Sequence, residues 1–147
     1  MDRVFLDANV LFSAAYRPNA GLNRLWHLDR VELITSDYAA QEAAINLAAE
    51  DQRARLTRLL EQVRIVTEVA PFEASVKLPK KDQPILQAAV QAGATHLLTG
   101  DKEHFGVYFG HRIAGILVLP PADYFELRMR KKPSANRVSV ERLVNMG

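Results

Sequence analysis

Five short apolar runs, each separated from the next by segments with helical or turn character, constrain this chain more than any other feature. They are Val4-Phe5-Leu6, Val31-Glu32-Leu33-Ile34-Thr35, Arg64-Ile65-Val66-Thr67-Glu68-Val69, His96-Leu97-Leu98-Thr99 and Ile116-Leu117-Val118-Leu119. Runs this short and this rich in β-branched residues and leucine read as strands. Strands joined through helices pair in parallel, with right-handed crossovers and helices on both faces. The expected fold is therefore α/β: three α/β/α layers around a central, mainly parallel five-stranded sheet.

The intervening segments supply the helices. Ala8 to Tyr16 is small and apolar, and Arg17-Pro18-Asn19 breaks it. Leu22, Leu25, Trp26 and Asp29 follow i, i+3, i+4, i+7 spacing, which predicts a helix over 20–30. Ser36 or Asp37 caps a helix through about Leu47. Asp51 to Gln62 places Leu56, Leu59, Leu60 and Val63 on one face. Pro71, Pro79 and Pro84 punctuate a loop over 70–83, with a short helix at Phe72–Val76. Ile85, Leu86, Ala89 and Val90 mark a helix closed by Gly93, and Pro120-Pro121 opens one through about Arg130. Residues 1–130 read as one domain. Residues 131–147 read as a basic tail, partly ordered at best, with a turn of helix at Val140–Val144.

A chain of 147 residues buries enough surface for a real core. The absence of cysteine rules out disulfides and thiolate metal sites and fits a reducing compartment. The start, Met1-Asp2-Arg3-Val4, lacks the basic and apolar pattern of a signal peptide. No apolar run approaches the ~20 residues of a membrane span. A cytoplasmic location is expected. The net charge of +2 says little about nucleic acid, but basic residues cluster at Arg53, Arg55 and Arg58 and again at Arg128, Arg130, Lys131 and Lys132.

Against this frame, four acids stand in apolar company: Asp7, Glu42, Asp82 and Asp101. Asp7 and Asp101 follow strands directly. Glu42 lies in about the second turn of the helix after the second strand, and Asp82 precedes the helix leading to the fourth. Open parallel sheets bind ligands beyond the carboxyl ends of their strands, which is where such acids converge. Two unit charges about 4 Å apart repel by roughly 4 kcal/mol at an effective dielectric near 20. Hard divalent cations relieve that repulsion. Mg²⁺ or Mn²⁺ is favoured over zinc, since no cysteine and no histidine pair with metal spacing is present. The reaction class this suggests is metal-assisted phosphodiester hydrolysis. Singly, each acid has a plainer reading: Asp82 or Asp7 as a helix cap, Asp101 as a turn residue, Glu42 as a solvated face residue. A phosphatase using an aspartyl nucleophile would want a second Asp at position 9, which is Asn9. His27, His96, His104 and His111 are scattered and read as structural or surface residues, with a site role left open for His104 because it follows Asp101, and Trp26 and Phe125 read as core.

The stretches Val4-Phe5-Leu6-Asp7-Ala8-Asn9-Val10-Leu11-Phe12-Ser13-Ala14, Leu33-Ile34-Thr35-Ser36-Asp37 with Glu42, Lys81-Asp82-Gln83-Pro84-Ile85-Leu86-Gln87-Ala88-Ala89 and Gly93-Ala94-Thr95-His96-Leu97-Leu98-Thr99-Gly100-Asp101-Lys102 carry a resemblance. The chain resembles PIN-domain ribonucleases, specifically bacterial PIN proteins grouped with VapC-like toxins of toxin–antitoxin modules. The resemblance spans roughly residues 3 to 125. It implies the α/β/α fold, and it implies that Asp7, Glu42, Asp82 and Asp101 ligate one or two Mg²⁺ or Mn²⁺ ions. It further implies cleavage of single-stranded RNA, a protein antitoxin as partner and a homodimer. Asn9, Ser36 and Thr99 would be supporting polar residues near metal or phosphate, and Glu103 would supplement Asp101. One departure is Ala8, where the family usually has Thr. The alternative reading is a PIN-like RNA- or protein-binding module with weak or no catalysis.

Overall fold

The computed structural model describes residues 1–67 and 83–131, the last through its backbone alone. The expected loop over 70–83, the helix at 72–76 and the tail beyond 131 fall almost wholly outside the described residues. Within them the strands are β1 (Asp2–Leu6), β2 (Val31–Ser36), β3 (Arg64–Val66), β4 (His96–Leu98), β5 (Arg112–Ile113) and β6 (Ile116–Leu119). The helices are α1 (Ala8–Tyr16), α2 (Asp37–Asn46), α3 (Glu50–Leu60), α4 (Gln83–Gln91), α5 (Lys102–Phe105) and α6 (Pro121–Lys131). Two 3₁₀ segments, Gly21–His27 and Gly106–Tyr108, complete the set. None of these helices is long and apolar enough to cross a membrane.

The sheet order is β3-β2-β1-β4-β6-β5, parallel throughout except for β5 against β6. The α/β architecture and mainly parallel sheet match the expectation, with one strand added. That strand, Arg112–Ile113, is too short to show a period. It folds back on β6 through Ala114 at φ 51° and Gly115 at φ 83°. Successive positive φ values make the tight turn whose twist matches an antiparallel pair. β1 lies inside the sheet, and Val4, Phe5 and Leu6 are all fully buried. This is why its run is continuously apolar rather than alternating.

The segment expected as a helix over 20–30 forms a 3₁₀ helix instead. Leu22, Leu25 and Leu28 sit three residues apart, and all pack on the core. In a 3₁₀ helix, residues i and i+3 eclipse, so this spacing gives one apolar edge. Trp26 is half-buried there, and its Nε1 donates to the Leu59 carbonyl at 2.9 Å, holding the segment to α3. Gly93 follows α4 at φ 71°, the left-handed stop anticipated for it.

Much of the clustered basic charge is occupied in holding the fold. Arg53 Nη1 donates to the carbonyls of Leu47 and Ala48 just past α2, at 2.8 and 2.9 Å. Arg55 donates to the carbonyls of Ala15 and Tyr16 at the end of α1, at 3.0 and 3.1 Å, and pairs with Asp51 at 2.9 Å. Both guanidinium groups satisfy orphan carbonyls at the negative end of a helix dipole. At the amino end of the sheet, Tyr124 Oη donates to Asp2 Oδ2 at 2.7 Å. Arg128 Nη1 lies 3.5 Å from the same oxygen, while its Nη2 donates to the Asp29 carbonyl at 2.7 Å. Burial pushes the Asp2 carboxyl up, but the Tyr124 bond and the charges of His96 and Arg128 outweigh it and leave it below its ordinary range. Burial and the Asp2 carboxylate push the Tyr124 phenol up.

Candidate active site

From β1 the chain moves through α1 to β2 on one side, whereas β4 pairs with β1 on the other. The sheet order therefore reverses between β1 and β4. Adjacent loops part at such a point and leave a crevice outside the carboxyl ends of the strands. Leu6 is in register with Leu98, and the Asp7 N–H extends the ladder to the Leu98 carbonyl at 3.1 Å. Asp7 and the Thr99-Gly100-Asp101 turn thus emerge side by side.

One hydroxyl joins them. Thr99 is fully buried, and its Oγ1 donates to Asp7 Oδ2 at 2.8 Å. The same oxygen accepts from the Asp101 N–H at 3.1 Å and from Asn9 Nδ2 at 3.2 Å. A hydroxyl has one proton and two lone pairs, and all three are used here. Asn9 closes the ring: Nδ2 also donates to Asp7 Oδ2 at 3.2 Å, while Oδ1 accepts from the Gly100 N–H at 2.7 Å. Asp7 itself is 7% exposed and caps α1, with Oδ1 accepting from the Ala8 N–H at 2.7 Å. Capping and site membership are therefore compatible: one oxygen serves the helix, and the other is held by Thr99 and Asn9. Thr35, which no sequence motif marks as a site residue, is fully buried and donates to the Leu6 carbonyl at 2.8 Å, fixing the strand end just before Asp7.

Asp101 is partly exposed and caps α5. Its Oδ1 accepts from the His104 N–H at 3.1 Å, and its Oδ2 lies 2.9 Å from His104 Nδ1. His104, set apart from the other histidines in the sequence because it follows Asp101, is thus a direct neighbour of an expected ligand. An acid followed three residues later by His at a helix start was the available signal. Glu103 is 85% exposed, with its carboxylate 3.9 Å from the other ring nitrogen of His104. Ser36 caps α2, its Oγ accepting from the Ala39 N–H at 3.0 Å. Glu42 is exposed on α2, and Asp82 lies outside the described residues. Among the described residues, no three His, Asp or Glu side chains converge into a metal-holding group. The described part of the crevice contributes Asp7 and Asp101, coupled through Thr99.

Comparison with known proteins now decides the family. The model of the PIN domain matches residues 3–103, a span that contains Asp7, Glu42, Asp82 and Asp101. The chain belongs to the PIN domain family. PIN-domain proteins of this kind are nucleases. Among solved structures, the VapBC2 complex of Rickettsia felis, bound to a DNA fragment from its promoter, aligns with a TM-score of 0.57 at 16% identity. The alignment covers 80% of this chain and 98% of that one. VapC20 of Mycobacterium tuberculosis, a Sarcin-Ricin loop cleaving toxin, aligns with a TM-score of 0.49 at 17% identity, over 67% of this chain and 91% of that one. The likeness to VapBC2 establishes a shared fold. No curated protein matches the sequence.

Proposed function

We propose that this PIN-domain chain is a metal-dependent endoribonuclease that hydrolyses phosphodiester bonds of single-stranded RNA. The observation that carries the reading is the Thr99 hydroxyl, which ties a buried carboxylate at one strand end to the Asp101 turn at the next. A fold alone does not require that arrangement. Two acids held together across a sheet switch point are what a polar reaction centre needs.

The donor set fits a hard divalent ion. Asp7 and Asp101 offer carboxylate oxygens, no cysteine is present, and oxygen donors suit Mg²⁺ or Mn²⁺. Asp7 and Asp101 would hold the ion together with Asp82 and Glu42. When bound, it would polarise a phosphoryl oxygen and lower the pKa of a water. Asn9 and Thr99 hold the Asp7 carboxylate in one orientation, so that it need not reorganise during reaction. The neighbouring His104 orients Asp101 through Oδ2. The backbone N–H of Ala8 makes its bond to Asp7 whatever side chain stands at position 8, so the loss of the family's hydroxyl there leaves this anchor in place. In the cell this activity would be the toxin half of a toxin–antitoxin pair, with a protein antitoxin as partner and a homodimer as the working form.

The test is cleavage of labelled single-stranded RNA by the wild type and by Asp7→Asn, with Mn²⁺, Mg²⁺ or chelator. Cleavage by the wild type with metal, and its loss in Asp7→Asn or in chelator, is expected. Equal cleavage by both proteins, or cleavage in excess chelator, refutes the proposal. A second readout is thermal: Mn²⁺ raises the melting temperature of the wild type but not of Asp7→Asn, because a ligand bound only by the folded state stabilises it.

A further inference from the structure

Two adjoining hollows lead away from the crevice. The first, about 450 Å³, begins at Asn9 and Gly100, the pair joined by the 2.7 Å bond beside Asp7. The second, about 290 Å³, ends at Arg17, Arg24 and Phe125. They share Ser13, Leu22 and Ala122, so they form one continuous groove. We infer that this groove is a track for the single-stranded RNA flanking the cleaved bond, with bases against its apolar middle and a phosphate on Arg17 and Arg24. The inference rests on the nuclease reading and adds a substrate-binding surface to it.

Three observations favour this occupant. The first is the charge of the lining. Among the described residues, neither hollow has an acidic side chain in its wall, and the far end carries two exposed arginines. Another open hollow of comparable size, about 490 Å³, is walled by Glu32 and Glu61 as well as Arg64 and is unsuited to a polyanion. The second is preorganisation. Arg24 lies with its guanidinium carbon 4.2 Å over the Phe125 ring, and Nε faces the Gly21 carbonyl at 3.4 Å. That bond occupies one of five N–H donors, and a guanidinium plane is a surface on which an unstacked base can stack. The third is the shape of the middle. Val10, Leu22, Pro120 and Pro121 make an apolar wall next to the polar site. Single-stranded RNA asks for this combination: faces for unstacked bases, cations for the backbone. The basic clusters visible in sequence are less suited, since Arg53, Arg55 and Arg128 are bonded to main-chain carbonyls.

The experiment measures binding of a short fluorescein-labelled RNA to the full chain by anisotropy, in chelator and across a salt series. Each phosphate contact on a single strand contributes about 0.7 to the slope of log affinity against log salt. Arg17→Ser/Arg24→Ser should therefore flatten the slope by about 0.7, the contribution of that one phosphate, and weaken binding on the order of tenfold at low salt. Ser13→Trp, at the junction of the two hollows, should weaken binding with little change in slope. All three positions are exposed, and melting curves check that the variants fold. If the arginine variant binds with the parent's affinity and slope, or if the parent does not bind RNA at all, the inference fails. It fails as well if Ser13→Trp binds RNA like the parent while losing a partner protein. Cleavage separates the two readings. Asp7-dependent cleavage that ignores the arginines keeps the nuclease and removes the track, whereas arginine-dependent binding without cleavage does the reverse.

Discussion

Replacing Thr99 by Val tests how much the site network contributes to the folded state. The two side chains are nearly isosteric, so packing changes little and the hydroxyl is what is removed. Thr99 Oγ1 donates to Asp7 Oδ2 at 2.8 Å and accepts from the Asp101 N–H and Asn9 Nδ2. A hydrogen bond to a charged group contributes about 1.5–3 kcal/mol net. A donor left without its acceptor in a partly buried place adds about 1 kcal/mol, and here that donor is the Asp101 N–H. Asn9 Nδ2 keeps its second acceptor on Asp7. The sum is about 3 kcal/mol. Thr99→Ser is the control: it keeps the hydroxyl and loses one buried methyl, which costs about 1 kcal/mol. Urea unfolding of the three proteins reads the difference. With a slope of about 2 kcal/mol/M, Thr99→Val should lower the midpoint by about 1.5 M and Thr99→Ser by about 0.5 M. Equal midpoints for the two variants would refute the claim that the hydroxyl, rather than the filled volume, holds the two strand ends together.

Two further outcomes test the frame around the site. Arg55→Ala removes both bonds to the end of α1 and should cost about 1–2 kcal/mol, lowering the melting temperature by about 3–6 °C at this chain length. Arg55→Lys keeps the charge but not the fork and should recover only part of the loss. Tyr124→Phe removes the bond to Asp2. The Asp2 carboxyl is held below its ordinary value of 3.8, so its contribution is fully present above that pH and is lost as pH falls through the lowered folded value. Urea midpoints of wild type and Tyr124→Phe should therefore differ at neutral pH and converge below about 3.8. A gap of constant size down through that range would show that Asp2 is not the partner that matters.

Most of the fold was legible because it rests on local patterns. The runs at Val4, Val31, His96 and Ile116 declare themselves as strands by composition, and α1 and α2 begin and end near the caps and breaks visible in the chain. What escaped had a non-local cause or too little sequence to carry a signal. The i, i+3, i+4, i+7 pattern of Leu22, Leu25, Trp26 and Asp29 matches an ordinary helical face, whereas the edge that packs on the core is Leu22, Leu25, Leu28, with a period of three. The two residues of β5 are a strand only because β6 lies beside them. At the site, Asp7 and Asp101 were readable as acids after strands, and Asn9 and Thr99 as their polar company. Thr35 was not, and His104 only as the histidine that follows Asp101, because their roles depend on where a hydroxyl and a ring nitrogen end up.

By itself the sequence determined which segments could be strand or helix and that acids of the right kind followed strands. Apolar periodicity and capping act over a few residues, so they are written in the chain. The tertiary structure alone decided that β4 pairs with β1, which brings Thr99 within 2.8 Å of Asp7 across an interval of 92 residues. It also decided the use of the basic charge, turning Arg53, Arg55 and Arg128 toward carbonyls and placing Arg17 and Arg24 at the end of one groove. Strand pairing and side-chain partnership are contacts between distant parts of the chain, and buried polar groups accept only the partners that the finished fold sets beside them.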